Sequence, residues 1–195
     1  DIGDDVIEGE RGVDQLFGGQ GNDTIVGGDG SDNLFGNEDD DILSGDGGAD
    51  DIFGGTGDDQ LFGSTENDEL FGEDGNDALE GGADNDTLEG GAGEDTLDGG
   101  TGDDVLNGGD DNDRLISPDG NDALTGGDGA DTFRIEAPSD NSSVVTVLDL
   151  TLGLDTLDID PDAIEAVREE GQNLVFELVG GRTLVLVGIG GGELL

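Results

Sequence analysis

Fifteen aspartates recur every nine residues without a slip: Asp5, Asp14, Asp23, Asp32, Asp41, Asp50, Asp59, Asp68, Asp77, Asp86, Asp95, Asp104, Asp113, Asp122 and Asp131. Two positions after each stands an apolar residue, from Ile7 and Leu16 through Leu124 and Phe133. Carboxylates at a fixed phase can serve as acid–base pairs or as oxygen ligands for a hard cation. Nothing beside them in this sequence forms a cleft, so they read as ligands. A strict period over so many copies means one small unit stacked repeatedly, each copy supplying the partners its neighbours lack.

Composition narrows the cation and the partners. The 195 residues carry 52 acidic and 5 basic side chains, a formal charge of −47. Such a chain repels nucleic acid and anionic membrane surfaces, and it repels itself when compact. Low hydrophobicity with high charge is the signature of disorder, and the period makes that disorder conditional on a missing cation. The sequence has no histidine and no cysteine, which removes the usual zinc ligands, thiol chemistry and any disulfide framework. No stretch of about 20 apolar residues is present to span a membrane, and no cleavable signal peptide opens the chain. The sequence begins inside a repeat and reads as a piece of a longer protein, with more repeats or another domain upstream.

Residues 1–134 form the array. The units GGQGNDTIV (18–26), GGDGSDNLF (27–35), GGTGDDQLF (54–62) and GGTGDDVLN (99–107) give the consensus G-G-x-G-x-D-x-U-x, where U is large and apolar. The last three places alternate outward, inward and outward, as a very short strand does, and the first six are expected to be turn. Residues 135–195 differ in texture. Val145–Leu154 and Thr156–Asp160 are expected strands. Asp160-Pro161-Asp162 opens an expected short helix running to about Glu170, closed by Gly171. Leu174–Val179 and Thr183–Val187 are expected to form a hairpin through Gly180-Gly181. This β-rich region would cap the open edge of the stack, and the tail from Gly190 to Leu195 is expected to be mobile.

The nonapeptide resembles the calcium-binding repeat of the RTX family, the repeats-in-toxin group of secreted bacterial proteins. The resemblance implies an all-β, right-handed parallel β-roll with 18 residues per coil, two sheets, and calcium held between successive turns on each side. It also implies that carbonyls of the second and fourth places join the aspartates as ligands. These are Gly19, Gly21, Gly28, Gly30, Gly48, Gly55, Gly57, Gly75, Gly82, Gly91, Gly93, Gly100, Gly102, Gly109, Gly120, Gly127 and Gly129. On the order of a dozen Ca²⁺ ions would fill such a stack. Physical chemistry agrees on the metal. Aspartates one strand spacing apart, about 4.8 Å, repel each other, and a cation between them turns that repulsion into a bridge. Ca²⁺ accepts 6–8 oxygens in flexible geometry, whereas Mg²⁺ demands a rigid octahedron and keeps its waters.

Several places depart from the consensus. Asp39, Glu66, Asp84 and Asp111 occupy the fourth place, where left-handed backbone suits glycine. Ser117-Pro118 replaces a glycine pair, and Arg11 and Val13 make the unit at 9–17 atypical. The turns near Glu66 and Pro118 are expected to be weak or irregular sites. Phe17, Phe35, Phe53 and Phe71 share the ninth place at intervals of 18 and are expected to stack outward on one sheet, with Phe62 on the other. Asp149, Gly153, Asp155, Leu157 and Asp158 fit the D-x-x-x-G-x-D-x-L-D flank that follows many RTX arrays. By the same resemblance, the C-terminal stretch would carry an uncleaved type I secretion signal.

The function that follows is a non-enzymatic calcium-binding module. It folds on Ca²⁺ after export and supports type I secretion of an upstream domain. Alternatives are an adhesive, surface-binding spacer, resting on the phenylalanine column, and the C-terminal fragment of a secreted hydrolase or epimerase with catalysis upstream. The expected partners are calcium ions, an upstream domain and the secretion apparatus. Edge-to-edge self-association through an open coil is a further expectation.

Overall fold

The computed structural model describes residues 2–136 and 143–188. The expectation for the tail, and the end of the region carrying the expected secretion signal, lie outside these residues. Twenty strands follow in order: β1 (Val6–Glu8), β2 (Gln15–Gln20), β3 (Thr24–Asp29), β4 (Asn33–Glu38), β5 (Ile42–Gly47), β6 (Asp51–Thr56), β7 (Gln60–Thr65), β8 (Glu69–Asp74), β9 (Ala78–Ala83) and β10 (Thr87–Ala92). After them come β11 (Thr96–Thr101), β12 (Val105–Asp110), β13 (Arg114–Ser117), β14 (Ala123–Asp128), β15 (Thr132–Ile135), β16 (Val144–Val147), β17 (Thr156–Asp158), β18 (Ile164–Glu170), β19 (Asn173–Leu178) and β20 (Thr183–Leu186).

Odd-numbered strands from β1 to β17 form one nine-stranded sheet. The other sheet has eleven strands in the order β18-β19-β20-β16-β14-β12-β10-β8-β6-β4-β2. Within the array each strand pairs in parallel with the residues 18 further on, as Leu16 with Leu34 and Leu34 with Ile52. The chain is therefore a β-roll, with two nonapeptides to the coil.

One expectation of local structure changes. A typical strand has six residues and crosses the unit boundary, taking the last three places of one nonapeptide and the first three of the next. Only the fourth to sixth places are turn. The glycine pair continues the strand because the ladder skips the first place and resumes at the second, as in the pairing of Gly19 with Asn37 after Phe17 with Phe35.

The eighth-place side chains fill the interior. Ile25, Leu34, Leu43 and their successors to Phe133 are at most 2% exposed, and Ile7 and Leu16 pack partly buried on the same column. One large apolar side chain per nine residues is a thin core against the entropy of ordering nine backbones. The hydrophobic column aligns the coils, and the turns must supply the rest.

The C-terminal region continues both sheets. β16 pairs in parallel with β14 and β20, and β17 pairs with β15. β18, β19 and β20 then run antiparallel and form the end of the larger sheet. Val145, Val147, Leu174, Leu178, Leu184 and Leu186 join the apolar column of the array without a break. The hairpin through Gly180-Gly181 is present. The expected helix shrinks to one 3-10 turn, Pro161–Ala163, with the Asp160 carboxylate accepting from the Asp162 N–H at 2.9 Å. From Ile164 the chain is strand, because β19 offers a partner for the whole segment and a ten-residue helix alone is marginal. Gly171, at φ 71°, turns a hairpin instead of ending a helix. The expected strand over Val145–Leu154 stops at Val147, and Leu148, Leu152 and Leu154 are exposed.

Candidate metal centre

Each turn delivers its sixth-place aspartate to the interior of the turn column. Asp23 to Asp131 are 1–2% exposed. Two columns result, one with Asp5, Asp23, Asp41 and onward, the other with Asp14, Asp32, Asp50 and onward. Within each, the Oδ1 of one aspartate accepts the backbone N–H of the aspartate 18 residues earlier. Asp5 N–H bonds Asp23 at 2.7 Å, Asp23 bonds Asp41 at 2.6 Å, and the run continues to Asp113 with Asp131 at 3.0 Å. The aspartate carbonyl accepts in turn from the seventh-place N–H of the next coil, as Asp5 from Thr24 at 2.9 Å.

The second carboxylate oxygen has no such partner. Among the described residues, Oδ2 of Asp14, Asp23, Asp32 and every further repeat aspartate to Asp113 is buried without a hydrogen bond, twelve atoms in all. A buried carboxylate oxygen left unpaired is costly. Beside it lies a space that a methyl group would fill. A Cβ built on Gly54 would stand 2.5 Å from Asp59 Oδ2 and 2.9 Å from the Gly72 carbonyl oxygen one coil on. On Gly81 it would stand 2.5 Å from Asp86 Oδ2 and 2.7 Å from the Gly99 carbonyl. Glycine at the first place thus keeps open a cradle lined by oxygen. Second- and fourth-place glycines do a different job. Gly28 and Gly30 have φ of 107° and 144°, and a side chain on either would strike the carbonyl of the coil before.

Burial sets the charge state of these carboxyls. It pushes the carboxyls of Asp68, Asp95, Asp104 and Asp113 up to about 7, against the opposing pull of the backbone N–H each accepts, and neighbouring carboxylates push the same way. Asp41, Asp50, Asp59, Asp77 and Asp86 rise to about 6 for the same leading reason. Such groups favour a proton or a cation. Among the described residues no group of three or more acidic side chains is placed to hold a metal. Any ion in these turns needs backbone carbonyls, and the donors fit a hard cation that prefers oxygen.

The family model for the RTX calcium-binding nonapeptide repeat matches residues 1–25, 26–61, 53–88, 89–117 and 112–134. The chain belongs to the RTX calcium-binding repeat family. It is similar in part to the solution structure of the AlgE6R3 subunit from the Azotobacter vinelandii mannuronan C5-epimerase, at 25% identity over 78% of this chain and 73% of that one, with a TM-score of 0.27. Comparison with curated protein sequences gives no match.

Within this RTX array the departures from consensus find their places. Asp39, Glu66, Asp84 and Asp111 all take left-handed backbone at the fourth place, with φ of 76–77°. Glu10, Asn37, Asp46, Ser64 and Glu73 do so at the second. A further ladder was also missed. The fifth-place N–H donates to the fifth-place side chain of the coil before, as Asp58 to Asp40 and Asn76 to Asp58, both at 2.9 Å. The abundance of Asn and Asp at that place was its signal. In the flank, Asp149 receives the N–H groups of Gly126 (3.0 Å) and Gly127 (2.9 Å), which draws the chain off the sheet after β16. Gly153 turns at φ 86°, and Asp155 extends the aspartate ladder by accepting from Asp131 N–H at 3.0 Å. Both oxygens of Asp155 are used, since Thr151 N–H donates to the other at 2.6 Å.

Proposed function

We propose that this chain is a calcium-driven folding module of a type I-secreted protein, with the sixth-place aspartates and the carbonyls of the second and fourth places as ligands. The observation that carries the reading is the register of twelve buried, unpaired Oδ2 atoms, each beside a first-place glycine and ten of them also beside the first-place carbonyl of the next coil, while the second- and fourth-place carbonyls are taken from the family pattern. On the order of a dozen ions would match such a column. A bound Ca²⁺ would supply positive charge that offsets the buried carboxylates. The chain's own residues supply alignment through the eighth-place column, and they exclude water from the cradle.

Ions that bind the folded chain and not the unfolded one make folding depend on their concentration. Extracellular calcium modules work at about 10⁻⁴–10⁻³ M. At the far lower calcium of a bacterial interior, a chain of charge −47 stays extended and fit for threading through a transporter. Outside it folds. Residues 135–195 are proposed as the capping and secretion-signal region, and catalysis is assigned to no residue of this chain. No helix among the described residues is long and apolar enough to cross a membrane.

Circular dichroism and limited proteolysis over a calcium titration test this. The expected result is an extended, protease-sensitive chain in EGTA and a cooperative gain of β-structure near millimolar calcium, with no equivalent response to magnesium. A protease-resistant β-roll in EGTA would overturn it.

A further inference from the structure

Arg182 is the largest fully buried side chain described, with no solvent exposure, and it stands between β19 and β20 immediately after the Gly180-Gly181 turn. Its guanidinium reaches into the turn Ser117–Asp122, the last of its column. Nη1 donates to the carbonyls of Ser117 (3.0 Å), Pro118 (2.7 Å) and Glu136 (2.9 Å). Nη2 donates to Ser117 Oγ (2.9 Å), to the Gly120 carbonyl (3.4 Å) and to Asp122 Oδ2 (3.2 Å). In nonapeptide terms these acceptors are carbonyls of the first, second and fourth places, the sixth-place carboxylate, and a carbonyl from the coil beyond.

The turn itself is altered to match. Thirteen other units open on glycine and this one opens on serine. Ser117 puts a Cβ where the others keep a space, and its hydroxyl donates to Asp122 Oδ2. Pro118 cannot take the left-handed backbone of a second place, and β13 ends one residue before it. The twelve repeat aspartates from Asp14 to Asp113 each leave Oδ2 unpaired, whereas Asp122 Oδ2 is met by a hydroxyl and an arginine.

We propose that Arg182 is the resident cation of this turn. Its guanidinium occupies the cradle that the turns above leave to calcium, so this site neither requires nor admits an ion. The assignment rests on the calcium reading of those other turns. The chemistry suits it. A guanidinium keeps its charge at any relevant pH and directs several N–H groups in a plane, which lets one covalently tethered group satisfy five oxygen-bearing partners. The tether runs to the C-terminal hairpin, so cap and array are joined at this point by charge that no chelator can remove.

Two measurements decide it. In ¹⁵N spectra of the calcium-saturated protein, the Arg182 guanidinium N–H signals are expected to be resolved and protected, unlike those of exposed Arg168. Exchange at the rate of Arg168 would mean that calcium has displaced the side chain, and the proposal falls. Native mass spectrometry then counts ions in the wild type and in the variant Ser117→Gly/Pro118→Gly/Arg182→Met, which restores the glycine pair and removes the cation. The variant is expected to bind a single additional calcium ion per chain, and equal counts in two folded proteins would overturn the proposal. If that variant does not fold, the exchange measurement on the wild type decides alone. A wild type that binds no calcium at all would instead remove the reading of the other turns, and its own zero count tells that failure apart.

Discussion

The repeat aspartates from Asp23 to Asp113 use their two oxygens for different purposes. Oδ1 joins the coils by accepting a backbone N–H, and Oδ2 faces the cradle. This division predicts how Asp59→Asn behaves. An amide oxygen still accepts from Asp41 N–H, but the charge at the cradle is gone. The variant is expected to need several-fold more calcium for the same gain of β-structure in a dichroism titration. The raised carboxyls make a second prediction. Burial lifts Asp68, Asp95, Asp104 and Asp113 from 3.8 to about 7, so the metal-free roll binds protons that the unfolded chain releases. Stability from this source is fully present below about 4 and lost as pH rises through about 7. In EGTA, acidification from neutral pH toward 4 is expected to restore β-structure in part, and the increment produced by calcium should shrink over the same range. A third concerns Glu66, a non-glycine residue held at φ 76°. Glu66→Gly relieves a cost of about 1–2 kcal/mol and should lower the calcium midpoint.

At the scale of strands, the phenylalanine column was legible from an interval of 18 alone. Phe17, Phe35, Phe53 and Phe71 stack with centroids 4.8, 5.0 and 4.9 Å apart and rings within 10° of parallel. Each inner ring covers its neighbours' faces, so the column's first service is to the sheet. Phe53→Ala removes two stacked contacts, each worth about 0.5–1.5 kcal/mol. The thermal midpoint of the calcium-loaded protein should fall accordingly, and an unchanged midpoint would point to a surface role. The same scale shows where local sequence misled. Asp160-Pro161 starts a helical turn and Gly171 adopts the left-handed conformation, yet the segment between them is β18. Capping signals mark where a helix would begin and end without recording whether a strand waits nearby to pair. The three-residue strands expected from the U-place alternation became six because a glycine pair looks like turn to any rule that reads propensity.

Across the whole molecule, the period disclosed the coil, the two sheets, the apolar column and the aspartate columns, because every coil repeats the same local bargain. Arg182 escaped, since its contacts lie 46–65 residues away and no spacing rule links a lone arginine to Ser117. The net charge of −47 and the buried carboxylates are separate obstacles to folding, and salt distinguishes them. At 1 M monovalent salt the screening length is about 3 Å, which silences repulsion between exposed charges and leaves the unpaired Oδ2 atoms as they were. High salt in EGTA is therefore expected to compact the chain without making it protease-resistant. Light scattering with proteolysis on the same samples checks this, and full resistance would show that surface charge alone kept the chain open.

The Oδ1 ladder also has a polarity. Each buried aspartate N–H finds its acceptor in the coil that follows, whereas the exposed fifth-place N–H finds its own in the coil before. Trimming coils from the two ends is then unequal. Loss at the trailing side strands a shielded donor, and loss at the leading side strands the shielded Oδ1 that accepted from the lost coil, together with a fifth-place donor that water can serve. A roll cut in front thus exposes acceptors and one cut behind exposes donors, so its two ends present opposite hydrogen-bonding faces, like tiles with a tongue on one side and a groove on the other.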